Sequence, residues 1–153
     1  MSKSRLSKST FIRGLQCEKS LYLYKHHYRL KDPTPSSLQA VFDQGTNVGI
    51  LAQELFLDGI DASPENHFKM VESVEKTLDF ISKGETIIYE ATFLYNDYTI
   101  TSFDILIKDE EGWKAYEVKS STKVSETYIK DAAIQYYTIT NSGINKRTVN
   151  VNT

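Results

Sequence analysis

Apolar positions along this chain follow two periods. Between Glu85 and Ser121 they alternate, in three runs rich in Ile, Val, Thr, Tyr and Phe. The runs are Glu85-Thr-Ile-Ile-Tyr-Glu90, Thr101-Ser-Phe-Asp104-Ile-Leu-Ile107 and Trp113-Lys-Ala-Tyr-Glu117-Val-Lys119-Ser-Ser121. Alternation of this kind predicts strands. Tyr95-Asn96-Asp97 and Glu110-Glu111-Gly112 separate them and are short enough for hairpins, so an antiparallel meander is expected. From Glu126 to Asn141 the period becomes helical, with Tyr128, Ala132, Gln135, Tyr136 and Ile139 on one face and Gly143 past the end. Arg147–Thr153 alternates again and reads as a fourth strand, parallel to its neighbour after a crossover helix.

Ahead of the sheet the pattern is helical throughout. Ser7 is placed to cap a helix through Gln16, and Cys17–His27 reads as a second short one. Two prolines make Lys31–Ser37 a loop. Ser36 and Gln39 form a capping-box pattern for a third helix, striped by Leu38, Val41, Phe42, Val48, Ala52, Leu55 and Phe56. Gly45 and Gly49 share one face of it. Interior glycines cost about 1 kcal/mol each against alanine, so close approach to the sheet is the expected reason. Gly59 punctuates this helix; Ser63-Pro64 opens another, carrying Met70, Val71, Val74, Leu78 and Ile81 and ended by Gly84. The expected architecture is α/β or α+β: one domain over residues 1–153, with a helical part at 7–84 and a core sheet and helix at 85–153.

Strand parity puts chemistry on this frame. Glu117 and Lys119 share a face, because side chains alternate. A hairpin turning around Glu110 and Glu111 sets Lys108 opposite Trp113 and Asp104 opposite Glu117. Opposed residues have Cβ atoms roughly 4.5–5.5 Å apart, and like charges there are destabilising. A hard divalent ion between the carboxylates would remove that cost. Glu90 joins the same face only if the first hairpin has the matching register. A solvated strand face carries the same residues, so spacing alone leaves both readings open. Gln135 among core-facing residues reads as a buried amide needing partners.

Asp104, then Glu117-x-Lys119 on the next strand, then a helix with Gln135 and Tyr136, resembles the PD-(D/E)XK nuclease superfamily, and within it the RecB and CRISPR-associated exonuclease-like branch. The opening, Ser-x-Ser, an apolar helix and Cys17, is similar to the same branch. That resemblance implies a restriction-endonuclease-like fold and a Mg2+- or Mn2+-dependent deoxyribonuclease. It implies Asp104, Glu117 and the Val118 carbonyl as metal ligands, Lys119 on the phosphate or attacking water, and Glu90 as extra ligand or base. Gln135 and Tyr136 would orient Lys119 or the DNA. Three positions depart from the family pattern: Glu18 stands for proline, Gly49 for a metal-site histidine and Ile139 for a helix tyrosine. Without that histidine, weak metal affinity is expected. The family's iron–sulfur members use four cysteines, and Cys17 is the single cysteine here, so no cluster is expected.

Composition changes the picture little. The net charge of −2 excludes a uniformly basic nucleic-acid coat but not a local patch. A single cysteine, expected as a small buried hydrophobe, rules out an internal disulfide and fits a reducing compartment. Met1–Lys8 has no apolar core for a signal peptide, and no apolar run nears the ~20 residues of a membrane span, so the cytoplasm is expected. Neither the His26-His27 pair nor His67 has metal-ligand spacing to another ligand. Further residues or a C-terminal domain are expected beyond the last strand, because sheet edges are normally shielded. Three classes remain open: a DNA nuclease, a degenerate nucleic-acid-binding domain of the same fold, and an unrelated interaction domain.

Overall fold

The computed structural model describes residues 5–144 and 149–152. A two-residue strand β1 (Leu6–Ser7) runs straight into helix α1 (Lys8–Gln16). Ser7 accepts the Thr10 amide and donates its own amide to the Thr10 hydroxyl, a reciprocal cap. Cys17 is fully extended and separates α1 from α2 (Glu18–His26). Its side chain is exposed, not buried as expected, because it sits at the break between two surface helices.

Helix α3 (Ser36–Gln53) begins with Pro35 in the cap position, so Ser36 is already helical and the anticipated capping box does not form. No residue of α3 is buried, and Val41, Phe42, Ile50 and Leu51 are each more than half exposed. A Cβ at Gly45 or Gly49 would meet nothing within 4 Å, so these glycines answer no close approach to the sheet. Gly59 is the one that does. A Cβ there would run into the ring of Tyr89, whose hydroxyl accepts the Gly59 amide and donates to the Phe56 carbonyl.

The start expected at Ser63-Pro64 lies further on. Asn66 caps a 3-10 turn at His67–Lys69, and α4 (Met70–Lys83) follows, closed by Gly84 at φ 89°. Its buried face is more polar than the apolar pattern suggests: Ser73 and Thr77 accompany Val74, while Leu78 is half exposed. Ser73 donates to the Ala62 carbonyl, and the Thr77 hydroxyl accepts the Thr92 amide.

The sheet is mixed and flanked by helices. Its main order is β2 (Ile60–Asp61), β3 (Ile87–Tyr95), β4 (Thr99–Asp109), β5 (Gly112–Tyr116) and β6 (Val149–Asn152). β3, β4 and β5 form the expected meander; β2 pairs parallel with β3, and β6 parallel with β5. β1 pairs parallel with the start of β4, on the edge that β5 does not reach. Asn96 and Asp97, both at positive φ, turn the first hairpin. In the second, Lys108 faces Trp113, the register the Glu110-Glu111 turn requires.

β5 stops at Tyr116, short of the predicted run to Ser121. The cause is local: the Val118 amide donates to the Asp104 side chain at 2.5 Å instead of continuing the ladder. Helix α5 (Glu126–Asn141), capped by Ser125, then crosses back to β6. Arg147, Thr148 and Thr153 of the predicted last strand lie outside the described residues. Ile88, Ala91, Phe93, Phe103, Leu106, Trp113, Ala115 and Ile139 make the core, joined by Phe80 and Ile81 of α4. Among the described residues no helix is long and apolar enough to cross a membrane.

The glycines give a stability test. Gly45→Ala or Gly49→Ala should each stabilise the fold by up to about 1 kcal/mol, because the space is open and the helix gains propensity. Gly59→Ala should destabilise it by about 1–3 kcal/mol through overpacking against Tyr89. Denaturant unfolding of the three variants distinguishes these signs.

Candidate functional site

Both hairpin registers converge on one row of carboxylates. In the first, Tyr89 pairs with Ile105 and Ala91 with Phe103, which sets Glu90 opposite Asp104. In the second, Ile105 pairs with Tyr116, which sets Asp104 opposite Glu117. Glu90, Asp104 and Glu117 therefore lie side by side across three neighbouring chain segments. Glu90 itself drops out of the ladder and adopts a left-handed backbone at φ 53°. Such conformations cost a non-glycine residue on the order of 1 kcal/mol or more and concentrate at functional sites.

A cavity of about 360 Å³ opens over this row. Glu90, Asp104, Val118 and Lys119 form its floor, Gly45 and Gly49 of α3 lie across from them, and Tyr128 of α5 closes one side. The missing Cβ atoms at Gly45 and Gly49 leave this space open.

Glu117 lies behind the cavity, only 5% exposed, and is clamped. Its Oε1 accepts from Lys119 at 2.7 Å and from the Lys8 ammonium; its Oε2 accepts from Gln135 Nε2 at 2.5 Å. Gln135 is fully buried and also donates to the Ser102 carbonyl at 2.8 Å, while its Oε1 has no partner. Lys119 bridges Glu117 to Asp131 of α5 (3.2 Å) and sits 5.1 Å from the centre of the Tyr128 ring. Tyr136 is half exposed on α5 and does not line the cavity; one residue on from Gln135, it is turned about 100° away. The aromatic ring the structure brings to Lys119 is Tyr128 instead.

Charge in the row is unbalanced. Burial, reinforced by Asp104, Asp61 and Glu117, pushes the Glu90 carboxyl up to about 7. Burial and then Glu117 also raise Asp104, against the opposing pull of the Val118 amide, Lys8 and Lys119. For Glu117 burial acts upward too, but the two ammoniums outweigh it and hold the carboxyl below its usual range. Lys119 shows the mirror case: burial alone would lower it, and Glu117 and Asp131 raise it. The three carboxylates thus divide into one that is neutralised by cations and two that face the cavity under mutual repulsion.

Lys8, Asp131 and Tyr128 are members that sequence reasoning did not assign to the site. Asp131 was within reach of it, standing four residues before Gln135 on the same helical face. Lys8 gave no such signal, because its pairing with Glu117 spans 109 residues. Compared with protein-family models, curated proteins and solved structures, the chain has no match.

Glu90 supplies a test with a definite sign. Its folded carboxyl titrates near 7 and an unfolded one near 4.5. The native state therefore holds the extra proton in between, and stability falls as pH rises from about 4.5 to 7. The effect is on the order of 2–3 kcal/mol in metal-free buffer. Glu90→Asn, which also suits the left-handed backbone, should melt higher than the parent at pH 8 and flatten this slope. Melting curves between pH 4.5 and 8 measure both effects.

Proposed function

We propose that the chain is a divalent-metal-dependent phosphodiesterase acting on DNA, built in restriction-endonuclease-like style and similar to the RecB and CRISPR-associated branch of the PD-(D/E)XK nucleases. The observation that carries this is Glu90, Asp104 and Lys119 lining one cavity, with Glu117 buried behind them and paired to Lys119. Burial of Glu117 and the raised carboxyls of Glu90 and Asp104 speak against a merely solvated strand face.

The donor set suits a hard divalent ion. Glu90 and Asp104 offer carboxylate oxygens at the cavity, and their mutual repulsion is what a dication relieves. The Val118 carbonyl is the further oxygen drawn from the resemblance. Among the described residues no three Asp, Glu, His or Cys side chains are placed to hold a metal ion together. When bound, such an ion supplies acidification of water and neutralisation of phosphate charge.

The chain's own residues do the rest. Lys119, held at the cavity floor by Glu117 and Asp131, exchanges part of that pairing for a phosphate oxygen and stabilises charge developing on it. Glu90, titrating near neutrality, is suited to take a proton from the attacking water. Gln135 and Lys8 fix Glu117, and Glu117 fixes Lys119. Tyr128 lies against the Lys119 ammonium and limits its travel.

The carboxylates should separate by role. Asp104→Asn should fold as well as the parent, because it removes repulsion, and should abolish manganese binding measured by calorimetry with a short DNA duplex present. Glu117→Gln should cost about 3–5 kcal/mol of stability, since it leaves Lys8 and Lys119 without their buried partner. Lys119→Ala should retain manganese and lose strand cleavage. Unchanged manganese binding in Asp104→Asn overturns the reading. Manganese and DNA binding without cleavage by the parent leaves a nucleic-acid-binding domain of the same build.

A further inference from the structure

The weak net charge conceals a sharp partition. Residues 1–31 carry eight lysines and arginines against one acidic residue, Glu18, while the remainder carries ten against nineteen. Five of the eight cations, Lys8, Arg13, Lys19, Lys25 and Arg29, lie on the helical hairpin α1–α2 and the 3-10 turn Tyr28–Leu30 that follows it, and Lys31 comes next. Where the carboxylate row would repel a polyanion, this arm attracts one.

Aromatic rings are interleaved with those cations. The Arg13 guanidinium lies 4.6 Å over the Tyr24 ring, and the Lys31 ammonium 5.6 Å over Tyr28. Tyr24 and Tyr28 meet edge to face at 5.2 Å. These groups, with Lys19 and Leu30, line a shallow groove of about 280 Å³. Tyr28 is 56% exposed, and Tyr22, equally exposed, stands over His26 at 4.8 Å. Exposed rings held between cations cost apolar exposure that core packing does not recover. They match a ligand that presents phosphates and flat faces together.

We propose that the α1–α2 arm is a docking surface for single-stranded DNA, with Lys19, Lys31 and Arg13 on phosphates and Tyr28 stacking on a base. Single strands fit because their base faces are open to stacking, whereas a duplex hides them. The arm is fixed to the carboxylate row through the Lys8–Glu117 pair, so a strand held there lies on the element that touches the site. Only the choice of DNA over RNA rests on the nuclease reading; the surface itself rests on the charge partition and the rings.

The test is fluorescence anisotropy of a labelled oligothymidylate with the full chain, in EDTA so that no cleavage intervenes. Lys19→Gln/Lys31→Gln should weaken binding and reduce the slope of log K against log salt by about 1.4, two single-strand phosphate contacts. Tyr28→Leu should weaken it about tenfold and leave the slope unchanged, as loss of one stacked base predicts. Lys19 and Lys31 are exposed and outside the core, and parental melting temperatures in these variants exclude misfolding as the cause. No binding by the parent, parental binding by the variants, or tighter binding of duplex DNA, of oligouridylate or of anionic vesicles overturns the proposal. A separate manganese assay keeps the two readings apart. Binding lost in the variants with no cleavage by the parent upholds the arm and sinks the nuclease. Cleavage with variant binding unchanged does the reverse.

Discussion

Glu117 is the charge on which the arrangement turns. It is almost wholly buried, and a buried carboxylate is tolerated only when paired and hydrogen-bonded. Its partners come from three places: Lys8 at the start of α1, Lys119 two residues on, and Gln135 in the middle of α5. One carboxylate thus ties the N-terminal helices, the end of the meander and the crossover helix together. The Gln135 amide extends the tie to the Ser102 carbonyl of β4. Removing the carboxylate leaves two ammoniums and a buried amide without the acceptor they share, so position and protonation of the cluster are fixed jointly.

Beside that clamp the sheet gives up regularity where the carboxylates gather. Glu90 takes a left-handed backbone and leaves the ladder, and Val118 donates to a side chain rather than to β4. Polar groups beside these breaks find partners locally. The Thr92 amide goes to Thr77 of α4, and the hydroxyls of Ser73, Thr92 and Ser102 form a buried chain across β3 and β4. This explains why α4 presents serine and threonine to the sheet where an apolar stripe would otherwise serve. An irregular strand needs donors and acceptors against it, not more leucine.

Legibility followed the range of each interaction. The meander and the second hairpin's register were readable, because turn residues and alternation act over a few positions. From that register alone, Asp104 opposite Glu117 followed. The bounds of α1, α2 and α5 came from caps and periodicity. The first hairpin was harder: its turn was visible, but whether Glu90 joined the row depended on a register the sequence left open. The close approach to the sheet expected at Gly45 and Gly49 does not occur, since both line the cavity and a Cβ there meets nothing within 4 Å. Lys8 was invisible for the same reason that β1 and β2 were. Two-residue pairings and ion pairs across a hundred positions leave no periodic trace. Cys17 shows the opposite error, in which residue type suggested burial at a position that lies exposed at the break between two helices.

Opposed charge on adjoining parts of one small chain has its own logic. Glu90 and Asp104, the two carboxyls at the cavity, when ionised repel phosphates over about the 8–10 Å of a Debye length at moderate salt. Lys119 cannot offset this, because its ammonium is already engaged by Glu117 and Asp131. On the proposed reading, binding energy for a polyanion would therefore come from elsewhere on the surface, and α1–α2 is where cations outnumber acids. The Lys8–Glu117 pair sits at the boundary between the two fields. Under the proposed function, a phosphate drawn into the cavity would compete with Glu117 for Lys119, and the ammonium of Lys8 would keep the buried carboxylate paired while Lys119 turned away. Two ammoniums share the one carboxylate, and on the proposed reading that surplus cation is what would let a lysine built into the fold's central ion pair also face a substrate.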